Sequence, residues 1–379
     1  GGRSAGGRSD MPKQRGRWVA KDAAKEAGAE RARELLPSLE EFKSEWPELP
    51  DEGSVSNKDY YFNSYAHFGI HEDMLKDQVR TSSYMKAILG CKHLFEGKTV
   101  LDVGSGTGIL SLFAAKAGAK RCIGIECSDI AHYAREIAQR NGFGDVITYV
   151  QGKVEEVELP VDEVDIIISE WMGYFLIYES MLDSVLFARD KWLRKDGLLF
   201  PDHAKLYVAA IEDAEYREEK IGFWSHLWGF NFSPMQEMVI QEPISDVVDE
   251  SSIATSTACV SELDLLTCRR EDLDFLARYR ITANRKDFLH ALVVWFDVSF
   301  RACSPTVVMS TAPGATLTHW KQTVLYLEQP IVANQGDVIS GLIAVRKSTQ
   351  NPRDLDVKVS VDSDGEVPYP SKVQCFRLR

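Results

Sequence analysis

Residues 98 to 118, "KTVLDVGSGTGILSLFAAKAG", constrain the fold of this chain more than any other stretch. An apolar run of strand length ends in a glycine-rich turn, and an apolar-periodic helix follows, ended by Gly118. The unit then repeats. "RCIGIEC" reads as a second strand, and "DIAHYAREIAQRNG" as a helix capped by Ser128 or Asp129 and stopped by Gly142. "ITYVQG" and "VDIIIS" are further strands, the latter leading into a helix through "YESMLDSVLFARDKWL". Strands alternating with helices imply a doubly wound, mostly parallel α/β sheet of the Rossmann-like class.

In such sheets ligands bind at the carboxyl ends of the strands. The turn "VLDVGSGTG" supplies Gly104, Gly106 and Gly108, which let a bound cofactor come close to the backbone. Residue 109 is Ile, so the pattern is G-x-G-x-G and not the dinucleotide G-x-G-x-x-G. Glu126 follows Gly104 by 22 residues, at the end of "IGIE". A carboxylate there can accept hydrogen bonds from both hydroxyls of a ribose. "QGKVEEVELP" then puts Val154 and Glu155 near the edge of an adenine. Taken singly, Glu126 is as readily an exposed strand-end glutamate; the three features in order favour an adenosine-containing cofactor.

The stretch "SEWMGYFLIYES" poses a different question. Glu170 and Glu179 are nine positions apart, which sets them on opposite faces of either a helix or a strand. Only a loop that folds back brings them together, and Gly173 permits one. The alternative is two solvated surface glutamates.

A chain of 379 residues suits two domains. We expect a flexible arm over 1–45, with a helical stretch near "DAAKEAGAERARELL", and a cofactor domain over 46–200. "YYFNSYAHFGIHEDMLKDQVRTSSYMKAIL" reads as its leading helix, with Tyr61, Tyr65 and Phe68 on one face. Residues 201–379 read as an antiparallel β domain, a barrel or sandwich, from segments such as "HALVVWFDVSF" and "KQTVLYLEQPIVA". The helical-looking insert at 214–232 carries Phe223, Trp224, Leu227, Trp228, Phe230 and Phe232. It either docks on a partner or packs on its own β domain. The formal net charge of −13 either fits basic peptides better than nucleic acid or only aids solubility. Seven scattered cysteines, with no C-x-x-C pair, give no disulfide framework and no metal site, and imply a reducing compartment. No apolar run approaches membrane-spanning length and no signal peptide is readable, so a soluble intracellular protein is expected.

"VLDVGSGTG", "IGIEC", "GKVEEV", "VDIIISEWMGY" and "THWKQTV" resemble, in order and spacing, the protein arginine methyltransferases, and in particular their major type I branch, which forms asymmetric dimethylarginine. The likeness runs from about residue 59 to the C-terminus. It implies S-adenosylmethionine as cofactor, held by Gly104 and Glu126 with Glu155 near the adenine. It also implies a lid helix contributing His71, Arg80, Tyr61 and Tyr65, with Arg80 on the methionine carboxylate. Glu170 and Glu179 match the family's paired glutamates, which bind the substrate guanidinium and draw positive charge toward the bound nitrogens. His319 of "THW" matches a histidine that pairs with Asp77, either as a proton relay or as a clasp between domains. Met74 and Met181 match positions lining the arginine pocket, and Trp320 belongs with them; without the family likeness both methionines would read as core. The insert at 214–232 matches a dimerisation arm. Gly/Arg-rich proteins and histone tails are the implied substrates, and nucleus and cytoplasm the implied locations. The chemistry asks for no metal. A methyltransferase for another nucleophile, or a weakly active scaffold subunit needing a partner, are the rival readings; the paired glutamates and the THW loop weigh against the first, and intact Glu170, Glu179, Gly104 and Glu126 against the second, which leaves a requirement for a second subunit open.

Overall fold

The structure is a computed structural model that describes residues 39–44, 46, 65–367, 369 and 372–379. Tyr61 and the helical stretch expected near residues 22–36 lie outside these. Helices α1 (Leu39–Ser44), α2 (Phe68–Lys76), α3 (Gln78–Gly90) and α4 (Lys92–Phe95) precede the first strand. The leading helix expected over residues 60–89 is broken at Asp77. Tyr65 stands before α2, so Tyr65 and Phe68 do not share a helix face. At Asp77 the backbone turns extended, and the freed carboxylate caps α3 by accepting from the Arg80 N–H.

The parallel sheet contains β1 (Thr99–Val103), β2 (Arg121–Glu126), β3 (Ile147–Gln151), β4 (Val164–Ile168) and β5 (Leu193–Phe200), in the order β3-β2-β1-β4-β5. Helices α5 (Ile109–Lys116), α6 (Ala131–Arg140) and α7 (Met181–Trp192) connect them. Neither Ser128 nor Asp129 caps α6: the Ser128 hydroxyl goes to the Tyr65 carbonyl, and Asp129 accepts from Gln151. The chain reverses its direction across the sheet between β1 and β4, which pair in parallel. A crevice at that reversal is where an open α/β sheet receives its ligand. The glycine turn follows β1 and Glu170 follows β4, so the topology brings both to one edge.

After β5 the sheet type changes. Strands β6 (His203–Ile211), β7 (Ile244–Asp246), β8 (Ala258–Asp264), β9 (Phe275–Thr282), β10 (Asp287–Phe300), β11 (Val307–Ser310), β12 (Gln322–Ala333), β13 (Val338–Lys347), β14 (Leu355–Ser363) and β15 (Lys372–Leu378) pair antiparallel throughout. One sheet runs β7-β12-β10-β6-β8 with β11 beside β10; the other runs β15-β14-β13-β9. On the face of β13 away from the main core, α1 lays Phe42 against Leu342 and Ala344, with Trp46 beside it and Arg346 and Lys358 over the rings. The insert is less helical than expected. Its only α-helix within 214–232 is α8 (Ala214–Lys220); a 3-10 turn and a tight reversal at Leu227–Phe230 follow, then α9 (Pro234–Val239).

One continuous core joins the two halves. Phe200 at the end of β5 meets Phe95 at 5.0 Å and Phe300 of β10 at 6.0 Å, and Phe300 meets Tyr84 of α3 at 5.0 Å. The Tyr84 hydroxyl donates to the Ser169 carbonyl, one residue before Glu170. Aromatic packing, edge-to-face at Tyr84–Phe300 and Phe95–Phe200 and tilted at Phe200–Phe300, therefore fixes the lid helix, the parallel sheet and the β domain together. Phe300→Ala is expected to cost about 3–5 kcal/mol and to lower the urea midpoint of the whole chain in one transition. A loss below about 1 kcal/mol, or two separated transitions, would contradict a shared core.

Candidate active site

The site grows from the two strand ends at the reversal. Gly104 and Ser105 both donate their N–H groups to the Ile125 carbonyl, which folds the turn tightly over β2. Gly104 has φ +70°, and a Cβ built there would come within 2.1 Å of Met181 Cε. The left-handed φ favours glycine there, and any added Cβ would have to displace the tip of Met181. Gly106 turns its N–H onto Glu126 Oε2 at 2.8 Å, and Gly108 leads into α5. The other Glu126 oxygen accepts from the Ser128 N–H at 2.8 Å. Both carboxylate oxygens are thus oriented by backbone, and each keeps a further lone pair for a ligand hydroxyl. The glycine turn and this fixed, nearly buried carboxylate fit the ribose end of S-adenosylmethionine. Val154 packs its side chain in the core, whereas Glu155 is exposed and accepts from Ser184 of α7 at 2.7 Å.

The lid closes over this turn. His71 sits above Gly106 and its Nε2 meets the Tyr65 carbonyl at 2.8 Å. The same carbonyl accepts from the Ser128 hydroxyl at 3.2 Å, so one backbone oxygen ties the lid to the end of β2. The Tyr65 hydroxyl donates to Glu179 Oε2 at 2.9 Å.

The loop after β4 does fold back. Gly173 N–H donates to the Leu176 carbonyl at 2.9 Å, and a Cβ at 173 would lie 2.1 Å from the Tyr178 carbonyl oxygen. Glycine is needed there for clearance. The reversal itself is made by Phe175, Leu176, Glu179 and Ser180, all at left-handed φ, a conformation disfavoured for residues with a side chain. Glu170, with its side chain 8% exposed, receives Arg80 Nε and Nη2 on Oε2, each at 2.8 Å. Its Oε1 is buried and has no hydrogen-bond partner among the described residues. Arg80, expected on the methionine carboxylate, is here committed mainly to Glu170, with Nη1 on the Met74 carbonyl at 3.2 Å. Met74 Sδ lies 3.8 Å from Arg80 Nη2, and the tip of Met181 packs beside Gly104.

The β domain contributes the remaining groups. His319 Nδ1 lies 2.7 Å from Asp77 Oδ2, and the His319 N–H donates to the same oxygen at 2.9 Å. Burial raises the Asp77 carboxyl pKa, but hydrogen bonds from the His319 ring and from the Arg80 and His319 N–H groups outweigh it, holding the group below the usual aspartate value. Trp320 is 3% exposed, and its indole N–H donates to the Met172 carbonyl at 2.9 Å, supporting the glutamate loop. A buried indole needs such a partner.

Two contributors were not visible in the sequence. Tyr84 anchors Ser169, as described above. Asp102, fully buried beneath the turn, is pushed up to about 7 by burial, against the pull of the Ser111 hydroxyl at 2.6 Å. The pattern of β1 offered only one clue to it, an acidic residue inside an apolar strand.

Residues 202–366 match the family model described as the arginine methyltransferase oligomerization subdomain, and residues 100–197 match that of a methyltransferase domain. The chain is 51% identical over 333 residues to protein arginine N-methyltransferase 1 of Chlamydomonas reinhardtii, covering 88% of this chain and 96% of that protein. The chain belongs to the protein arginine methyltransferase family. Protein arginine N-methyltransferase 1 of Schizosaccharomyces pombe is 52% identical over 309 residues, covering 82% of this chain and 91% of that protein. The fold of the Trypanosoma brucei PRMT1 enzyme-prozyme heterotetrameric complex with AdoHcy matches with a TM-score of 0.82 at 46% identity, over 83% of this chain and all of that one. Membership accounts for S-adenosylmethionine as the cofactor that the glycine turn and Glu126 fit.

The Asp77–His319 clasp should show in the pH dependence of stability. A carboxylate with a lowered folded pKa stabilises the native state above its unfolded value, about 3.9, and loses that contribution as pH falls through the folded value. The stability gap between the native chain and Asp77→Asn should be present at about pH 5 and shrink on further acidification through about pH 4 and below. A gap that widens on acidification would contradict the lowered pKa.

Proposed function

We propose that this methyltransferase acts on arginine side chains of proteins and forms monomethyl and asymmetric dimethylarginine. The observation that carries the reading is Glu170: a buried carboxylate with one oxygen held by Arg80 and the other without a hydrogen-bond partner among the described residues. An unpaired buried carboxylate oxygen is costly until a charged donor reaches it. A guanidinium is planar, stays protonated, and presents parallel N–H groups suited to that oxygen and to Glu179. S-adenosylmethionine, when bound, supplies a methyl group activated by its sulfonium. The chain's own part is to hold the guanidinium, bias its charge toward the bound nitrogens, and leave a terminal nitrogen toward the glycine-turn side. Asp77–His319 lies at the lid–barrel junction, where it serves as a clasp and as an acceptor route for the proton the methylated nitrogen sheds.

The unbranched side chains of Met74 and Met181 support dimethylation on one nitrogen, because they adapt to an added methyl. The acidic charge of −13 and a glutamate-lined site favour Gly-flanked arginines in Gly/Arg-rich proteins and histone tails. The oligomer is a homodimer through the insert. Its support is the exposure of Trp228 (96%) and Phe230 (69%), since burying such aromatics contributes roughly 1.5–3 kcal/mol each. A second reading, a partner subunit of a different kind, draws on the enzyme-prozyme composition of the Trypanosoma brucei relative.

Incubation with labelled S-adenosylmethionine and a Gly-Arg-Gly peptide, followed by resolution of the products, tests the reaction. Glu170→Gln and Glu179→Gln should each lower turnover by at least about 100-fold while cofactor affinity stays within about twofold. Near-native turnover in either variant refutes the assigned roles. Light scattering tests the assembly: the native chain should be a dimer at micromolar concentration, and the double variant Trp228→Ala/Phe230→Ala a monomer with at least about tenfold lower activity. A fully active monomeric native chain rejects the dimer, and a native chain active only with added partner favours the second reading.

A further inference from the structure

The β domain grips the glutamate loop at a second place, remote from Trp320. The turn between β13 and β14, residues 348–354, lies against Glu179. The Glu179 N–H donates to the Arg353 carbonyl at 2.9 Å, and Arg353 Nη1 donates back to the Glu179 carbonyl at 2.8 Å. The next residue, Ser180, donates its hydroxyl to the Pro352 carbonyl. Both peptide groups flanking the Glu179 Cα are thereby bonded to a single residue. Glu179 and Ser180 have φ of +73° and +58°, a conformation that persists in side-chain-bearing residues only where the surroundings over-determine it. The turn that imposes it is itself braced. Asn351 Nδ2 donates to Asp354 Oδ1 at 2.8 Å, the Arg353 N–H donates to Asn351 Oδ1 at 3.2 Å, and the Ser348 N–H donates to the Asp354 carbonyl at 2.9 Å. One strand end away, Lys347 Nζ meets Asp183 of α7 at 2.5 Å, which fixes the turn to the helix that follows the loop.

With both flanking peptide planes fixed, the direction of the Cα–Cβ bond at 179 is fixed too. The carboxylate beyond it accepts from the Tyr65 hydroxyl at 2.9 Å. We propose that Arg353 is a positioning residue for catalysis: it holds Glu179 in a left-handed backbone conformation and so aims the second carboxylate at the substrate guanidinium. A fork of N–H donors on a rigid plane suits this role better than a single ammonium. Arg353 acts through Glu179 and has no assigned contact with the reacting atoms. The inference rests on the reading of Glu170 and Glu179 as the guanidinium site.

The test is a double-mutant cycle with the peptide assay, comparing the native chain, Arg353→Met, Arg353→Lys, Glu179→Gln and the combination of Arg353→Met with Glu179→Gln. Arg353→Met should lower kcat by at least about tenfold with cofactor Kd within about twofold. Arg353→Lys should recover part of the loss. In the Glu179→Gln background Arg353→Met should cost less than about twofold, because the group it positions is already disabled. A loss that is undiminished in that background, a fall in cofactor affinity that matches the fall in kcat, or native turnover in Arg353→Met overturns the inference. If Arg353→Met does not fold, Arg353→Lys carries the same cycle with the same criteria, on a smaller loss of about threefold or more. A native chain that leaves the peptide unmethylated instead overturns the guanidinium reading on which the inference stands.

Discussion

The ion pair between Arg80 and Glu170 sets the terms for the rest of the molecule. Two opposite charges, each about one-twelfth exposed, have been taken out of water, at a desolvation cost that attraction offsets only when geometry is held closely. The holding is distributed. Arg80 is fixed because α3 begins where Asp77 caps it, and Asp77 stays put because His319 of the β domain bonds it twice. Glu170 is fixed because Ser169 is bonded by Tyr84 and by the strands beside it: its hydroxyl donates to the Val103 carbonyl and its N–H to the Phe200 carbonyl. A lid, a parallel sheet and an antiparallel domain therefore converge on one carboxylate.

The same arrangement explains why the β domain cannot be regarded as a separate attachment. It touches the glutamate loop through Trp320 and the 352–353 turn, and the lid through His319. Loops that carry function are usually positioned by a rigid scaffold beneath them. Here the scaffold comes from both sides, and it stabilises four side-chain-bearing residues at left-handed φ within six positions. Strain of this kind is concentrated where geometry matters for chemistry.

What the sequence made legible was local. The glycine turn and Glu126 announce themselves because turn chemistry and strand length are read within a few residues. The return of the glutamate loop was signalled by Gly173, although the structure shows clearance from the Tyr178 carbonyl as the reason. The break at Asp77 was hidden, since neither Gly nor Pro marks it; a side chain capping a backbone N–H three residues on achieves it. The apparent periodicity of Tyr65 and Phe68 was misleading because Tyr65 precedes the helix. The insert looked helical from its charged start, but Trp228 and Gly229 adopt positive φ and turn the chain. Arg353 could not have been found: "NPRD" has the composition of an ordinary surface turn, and its partner is 174 positions away.

Those separations bear on how the protein comes into being. Asp77 waits 242 positions for His319, and Glu179 waits 174 for Arg353. Contacts so distant along the chain form late, after the loop-closure entropy of the intervening segments has been overcome. Synthesis delivers the parallel sheet first, and N-terminal units fold as they emerge. A half-made chain thus carries the glycine turn and both glutamates while lacking every group from the β domain that braces them. Catalytic competence is acquired at the end of translation rather than along the way, and an unfinished or clipped chain is silent.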